Sequence, residues 1–218
     1  MPSRFTHRRV GVAGVLTLAA LVAGGCNLVG AVLYKVTPEL EIPPKFVLKK
    51  DAPTVVLVEN YRTPDLAAND AELLARSLQA KLDEKKVAPI IKTEKIFDLR
   101  NSRPKDFAKM TVPEIAKAVG AEQVIYVDLQ SGGISSMTGQ SLFQGKAYVA
   151  VKVIDAKTGA TLFPTESADG IGLGFETNPR KGRDEGSYPA VRSELYDGMA
   201  KTIGRLFYPY KPSEDEED

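Results

Sequence analysis

The chain has 218 residues, 43% hydrophobic and 26% charged, which suits one ordinary domain with a leader and a linker. Its formal net charge of +1 gives no basic footprint for a nucleic-acid backbone, so nucleic acid is not an expected partner. The one histidine is His7 and the one cysteine is Cys26, so a body beginning after Cys26 holds neither an imidazole nor a thiol. That excludes Ser-His-Asp and Cys-His catalysis and any His- or Cys-ligated zinc or transition-metal site. No catalytic residue, metal or cofactor is assigned from the sequence.

The first nine residues carry Arg4, Arg8 and Arg9 without a carboxylate, and Val10 to Ala23 is uncharged and rich in Val, Leu, Ala and Gly. This is the layout of a secretory signal. The run Leu21-Val22-Ala23-Gly24-Gly25-Cys26 then places two small residues before a lone cysteine. It resembles the lipobox of bacterial lipoproteins, where the thiol receives diacylglycerol and the new amino terminus is acylated. Ala23 stands where that family prefers Leu, and Asn27 is unlike the aspartate that retains such proteins at the inner membrane in enteric bacteria. The resemblance implies a signal peptide over 1–25 and lipidation, including palmitate, at Cys26. The protein would then sit on the cell membrane or outer membrane, facing the periplasm or another extracytoplasmic side. The alternative is an uncleaved anchor, because the 25 residues from Val10 to Tyr34 carry no charge and are long enough to span a bilayer. Either way the basic residues stay cytoplasmic and the body is exported.

Pro38, Pro43, Pro44 and Pro53 mark an extended segment, so residues 26–52 read as the lipidated cysteine and a tether. At about 3 Å per residue such a tether reaches on the order of 50 Å. An α/β domain is expected over 53–210, followed by a disordered acidic tail over 211–218. Thr54 to Tyr61 is the first strand. Asp65 is a candidate N-cap for a helix whose Leu66, Leu73, Leu74, Leu78 and Leu82 share one face. Val87 to Ile91 is a short second strand. Thr111-Val112-Pro113-Glu114 fits a capping box opening a helix that stops at Gly120. Gln123 to Leu129 is a third strand, and Lys146 to Asp155 is a fourth that alternates cleanly. Asp155 to Gly159 is a turn, from which a fifth strand returns at Thr161. A last amphipathic helix runs from about Pro189 to Tyr208, with Val191, Leu195, Met199, Ile203 and Leu206 at helical spacing. The expected architecture is a single, three-layer-like α/β domain with a mixed sheet of about five strands, in the order β-α-β-α-β-β-β-α. Strands one to three should be parallel with right-handed crossovers, and the hairpin antiparallel.

The opening VVLVENY strand and its long helix precede T-x-x-E-I-A-K-x-V-G-A-E-Q-V-I-Y-V, then V-x-V-I-D-A-K-T-G. Over residues 53–165 this pattern resembles the periplasmic anticodon-binding-like domains. These occur in the curli-secretion lipoprotein, the amino-terminal domain of TolB and the lipoprotein activator of penicillin-binding proteins. The resemblance implies a non-enzymatic envelope protein that acts on partners in secretion, assembly or activation.

Ser131 to Gly145 reads as a polar, Gly-rich connection, with Met137, Leu142 and Phe143 as apolar contacts for a protein partner. Fifteen residues with weak alternation are too few for a membrane-spanning hairpin, so a pore is not expected. Gly170, Gly172 and Gly174 lack the context of a dinucleotide fingerprint and read as a close-packing strand. Glu59, Asp65, Asp70 and Asp128 would supply carboxylates to an envelope hydrolase, but capping and solvated-edge roles account for them without chemistry. Arg180, Lys181 and Arg183 would meet anionic lipid or glycan, or else solvent. The functional expectation is a lipid-anchored, non-catalytic binding, assembly or activator module. A carboxylate hydrolase and a purely structural envelope tether are the alternatives.

Overall fold

The computed structural model describes residues 40–60, 68–137, 142–181 and 187–212. Cys26, Asp65, Leu66 and Arg183 lie outside them, as do the signal peptide, residues 26–39 of the tether and residues 213–218 of the acidic tail. The chain divides into Ile42–Tyr210, which carries every element below, and the remaining terminal residues.

The elements run β1 (Thr54–Glu59), α1 (Ala68–Glu84), β2 (Ile90–Ile91), α2 (Glu94–Ser102), α3 (Pro104–Phe107), α4 (Val112–Val119) and β3 (Gln123–Met137). They continue with β4 (Leu142–Asp155), β5 (Thr161–Phe163), β6 (Ile171–Glu176), β7 (Arg180–Lys181) and α5 (Ser187–Gly204). The fold is α/β with one mixed sheet in the order β2-β1-β3-β4-β5, and β6 and β7 also pair with β4. β1 is parallel to both β2 and β3, and β3 is antiparallel to β4. β5, β6 and β7 follow one another along the far side of β4, all antiparallel to it.

Periodicity explains the two sides of this sheet. Leu74, Leu78 and Leu82 repeat every fourth residue on α1 and are fully buried. They pack with Leu195, Met199 and Ile203 of α5 against Val56, Val58, Ile125, Val127 and the inward β4 residues Ala147, Val149, Val151 and Val153. The opposite face of β1 and β3, carrying Val55, Leu57 and Val124, is covered by Ile96, Phe107, Ile115 and Val119 from α2 to α4. Three layers thus stack over β1 and β3. On the Tyr148 side of β4 and β6 exposure returns, with Tyr148 48% exposed and Gly172 and Gly174 open to solvent.

The local signals at α4 and the β4–β5 turn act as their chemistry requires. The Glu114 carboxylate accepts hydrogen bonds from Thr111 N at 2.7 Å and Thr111 Oγ1 at 2.9 Å, and Gly120 closes the helix at φ +82. At the turn, Asp155 Oδ1 accepts from Lys157 N at 3.1 Å and Thr158 N at 2.8 Å. These bonds favour the ionised carboxylates, and the hydrogen bonds from Thr111 and from Thr158 hold Glu114 and Asp155 below their ordinary values. The contribution of each is therefore complete above the ordinary carboxylate range and is lost as pH falls through the lowered folded value. Glu114→Ala should melt below the parent at neutral pH, and the difference should close in acid. Thermal melts by circular dichroism across a pH series check this. A difference that persists unchanged at the acid end would contradict it.

Four expectations need correction. First, Ser131 to Gly145 is not a long loop. β3 runs on to Met137 and β4 begins at Leu142, in register from Ser131↔Tyr148 to Met137↔Leu142 after a shift between Leu129 and Ser131. Ladder bonds come from backbone groups, so Gly and Ser pair without the apolar alternation that signals a strand. Beyond that shift each strand has seven residues, 131–137 and 142–148, so the arm stays shorter than the roughly 9–11 residues per strand of a membrane-spanning hairpin. Second, the tether ends sooner than residue 52. Ile42 N donates to Tyr210 O at 2.8 Å, Phe46 N donates to Leu206 O at 2.9 Å, and Leu48 is 2% exposed. Gln123 clasps the same segment, accepting from Lys49 N and donating to Lys49 O, each at 3.3 Å. Third, the second strand is only Ile90–Ile91, and α2 and α3 follow it without having been anticipated. Fourth, the strand read at Gly170 to Gly174 joins the sheet as β6 and is followed by β7, so among the described residues the sheet has seven strands and not about five.

Candidate functional site

The expected partner contacts lie on a β-arm, the part of β3 and β4 beyond the bulge. Leu142 and Phe143 are the first residues of β4 and are half-buried, while Met137 is the last residue of β3 and opposes Leu142. The arm is braced from one side. β7 pairs with it through Leu142↔Lys181 and Phe143↔Arg180. The Arg180 guanidinium in turn reaches Glu194 on α5 at 2.7 Å. Arg180 therefore ties the arm to the helix layer, a contact beyond both its reading as solvated and its reading as a lipid or glycan contact. Nearer the base, Gly145 N donates to Thr177 Oγ1 at 2.9 Å, and Thr177 N donates to Gly145 O at 2.9 Å. An arm held by strand, ion pair and threonine presents its apolar end in a fixed place.

The described carboxylates fall elsewhere, and Glu59 and Asp70 each meet an arginine. Glu59 ends β1 at 5% exposure and meets Arg100 of α2 at 2.9 Å, while the Arg100 guanidinium also lies over the Phe107 ring at 4.9 Å. Asp70 lies in the first turn of α1, where its oxygen accepts from Arg192 Nε of α5 at 2.6 Å. The buried Tyr196 phenol beside it is pushed above its ordinary range, by burial first and by the Asp70 charge second. Asp128 sits opposite Glu59 in the β1–β3 register. The two anions thus share one end of the sheet, but Glu59 is committed to a guanidinium.

An open cleft of about 800 Å³ lies at the other end of the sheet, where Lys49, Lys117 and Lys157 face Glu114, Glu122 and Asp155. Two of those carboxylates are already taken up in the α4 cap and the β4–β5 turn. Among the described residues no cluster of three His, Cys, Asp or Glu is placed to hold a metal ion. Also among them, no helix is long and apolar enough to cross a membrane.

The alternate glycines resolve into two uses. A Cβ at Gly170, which has φ +96, would approach Val151 O to 2.8 Å, so backbone passes too close there for a side chain. A Cβ at Gly174 would meet Tyr148 Cε1 at 2.8 Å, because the Tyr148 ring lies across that residue from the neighbouring strand. Gly172 has open space around it.

No protein-family model matches this chain, and no curated protein matches it. Among solved structures it is similar to lipoprotein GNA1162 from Neisseria meningitidis, at 12% identity and a TM-score of 0.42, over 70% of this chain and 99% of that one. It is similar to the PelC dodecamer from Paraburkholderia phytofirmans at 15% identity and a TM-score of 0.40, over 78% of this chain and 96% of that one. A third likeness is to uncharacterized lipoprotein B from Nitrosomonas europaea, at 12% identity and a TM-score of 0.38, over 77% and 87% of the two chains. Likenesses this distant decide neither family nor activity.

Proposed function

We propose that this chain is a lipid-anchored cell-envelope protein, held through Cys26 outside the inner membrane, that binds a protein partner without catalysing a reaction. The observation that carries the binding part is the braced β-arm with Leu142 and Phe143 at its end. Half-buried apolar groups on a fixed support are the kind of surface that binds a protein at low ordering cost. The anchor part rests on the leader pattern before Cys26. Supporting the absence of catalysis are the commitment of Glu59 and Asp70 to arginines and the lack of imidazole and free thiol in the body.

Photo-crosslinking in native membranes tests the arm directly. A crosslinking side chain at position 143 should capture one protein reproducibly, whereas the same group at Lys105 on α3 should not. Running both in a Cys26→Ser chain separates anchoring from recognition. Capture with and without Cys26 means that anchoring is dispensable for binding. Failure from position 143 in both backgrounds defeats the binding reading.

A further inference from the structure

We infer that the outer edge of β6 is an interface for a second copy of this chain, the two β6 strands pairing antiparallel about Leu173. This interface is separate from the β-arm and does not depend on the anchor.

The inference begins with how the edges of the sheet are finished. An edge strand presents unpaired N–H and C=O groups, and proteins blunt such edges by shortness, charge or proline. At one edge β2 has only two residues. On the other side β5 has three and is followed by Pro164, and β7 is Arg180-Lys181 after Pro179. β6 has none of these protections. It is Ile171-Gly172-Leu173-Gly174-Phe175-Glu176, uncharged until its last residue, and among the described strands it pairs only with β4.

The residue pattern of this edge complements itself. Joining two sheets with their helices on the same side requires core-facing residues to oppose core-facing residues. An axis through Leu173 sets Leu173 against its own copy and Ile171 against Phe175 of the second copy. All three apolar residues are only half-buried, so pairing would remove further apolar surface from water. On the other face the same register sets Gly172 against Gly174, leaving no side chains to collide.

Charge selects this register over its neighbours. It brings Gly170 opposite Glu176 of the second copy. Lys152 lies over Gly170, where a built Cβ would come within 3.1 Å of Lys152 Cγ. Glu176 stands on the same open face, holding Lys146 at 2.9 Å. The two-fold therefore sets Lys152 of each copy toward Glu176 of the other, giving two equivalent ion pairs. Moving the axis one position to Gly174 would place Glu176 opposite Gly172, away from Lys152.

The test uses the full-length chain carrying Cys26→Ser, in detergent, so that an engineered cysteine is the only thiol. Leu173→Cys lies on the axis and should oxidise rapidly to a disulfide-linked dimer. Ile171→Cys faces position 175 of the other copy and should remain mostly without an intermolecular disulfide. Independently, sedimentation of the Cys26→Ser chain should show a dimer that Lys152→Glu weakens about tenfold or more, through repulsion at two sites. Combining Lys152→Glu with Glu176→Lys should restore it. Equal crosslinking at 171 and 173 would overturn the proposal. So would a chain that sediments as a monomer throughout the micromolar range, or a charge swap that fails to restore the dimer.

Discussion

Asp70→Ala should lower the free energy of unfolding by about 3 kcal/mol, read from urea denaturation followed by circular dichroism. The side chain of Asp70 is 8% exposed, and Arg192 Nε and one terminal nitrogen lie 2.6 and 2.5 Å from the same oxygen. Removing the carboxylate leaves a guanidinium that is itself only 27% exposed without its counter-charge. Breaking a buried pair costs about 3–5 kcal/mol, and the partial access of Arg192 to water puts this case at the lower end. A further loss of about 0.5 kcal/mol comes from the first turn of α1, where a negative charge favours the helix dipole. The double variant Asp70→Ala, Arg192→Leu should recover most of the loss, because no charge is then left unpaired. If the double variant is no more stable than Asp70→Ala, the cost is lost packing and not a stranded charge.

That pair also marks where the sequence stops being legible. Asp70 stands out in the sequence as a carboxylate, but its meaning depends on Arg192, 122 positions away. Sequence spacing does not disclose such a contact. Features whose cause is local were legible. The leucine face of α1 from Leu74 to Leu82, the alternation of β4, the Thr111–Glu114 cap and the Asp155 turn each need only neighbouring residues, and each stands where the sequence places it. The β-arm was misread for the opposite reason. Ser131 to Ser136 lacks apolar alternation because backbone pairing with β4, and the lateral support of β7, hold it without a buried side-chain face. Likewise α2 and α3 expose charges on most of their surface and bury little more than Ile96, Phe97 and Phe107, too few for a periodic signal. Leu142 and Phe143 stand out in the sequence as apolar residues in a polar stretch. Their support, through Arg180 and Glu194, depends on a contact between β7 and α5.

Gly198→Ala should destabilise the protein by about 1–3 kcal/mol, although alanine is the better helix former. Gly198 lies within α5. In an exposed helix interior the exchange would gain roughly 0.8–1 kcal/mol. Here the added methyl would lie 2.1 Å from Phe175 Cζ and 2.3 Å from Cε1, so the ring of β6 nests directly on the helix backbone. The helix cannot back away cheaply, since Leu195 and Met199 on either side are fully buried. Phe175 must therefore swing out of its nest, and the packing it loses exceeds the gain in propensity. A double-mutant cycle with Phe175→Leu isolates the clash, because a branched side chain without the ring leaves room for the methyl. Gly198→Ala should then be neutral or stabilising in the Phe175→Leu background. A loss of the same size in both backgrounds would show that Gly198 is required for some reason other than the ring. Because Phe175 is also an edge residue of β6, displacing it should weaken the antiparallel dimer along with the fold, whereas Asp70→Ala acts at α1 and α5 and should leave association intact under conditions where the chain remains folded.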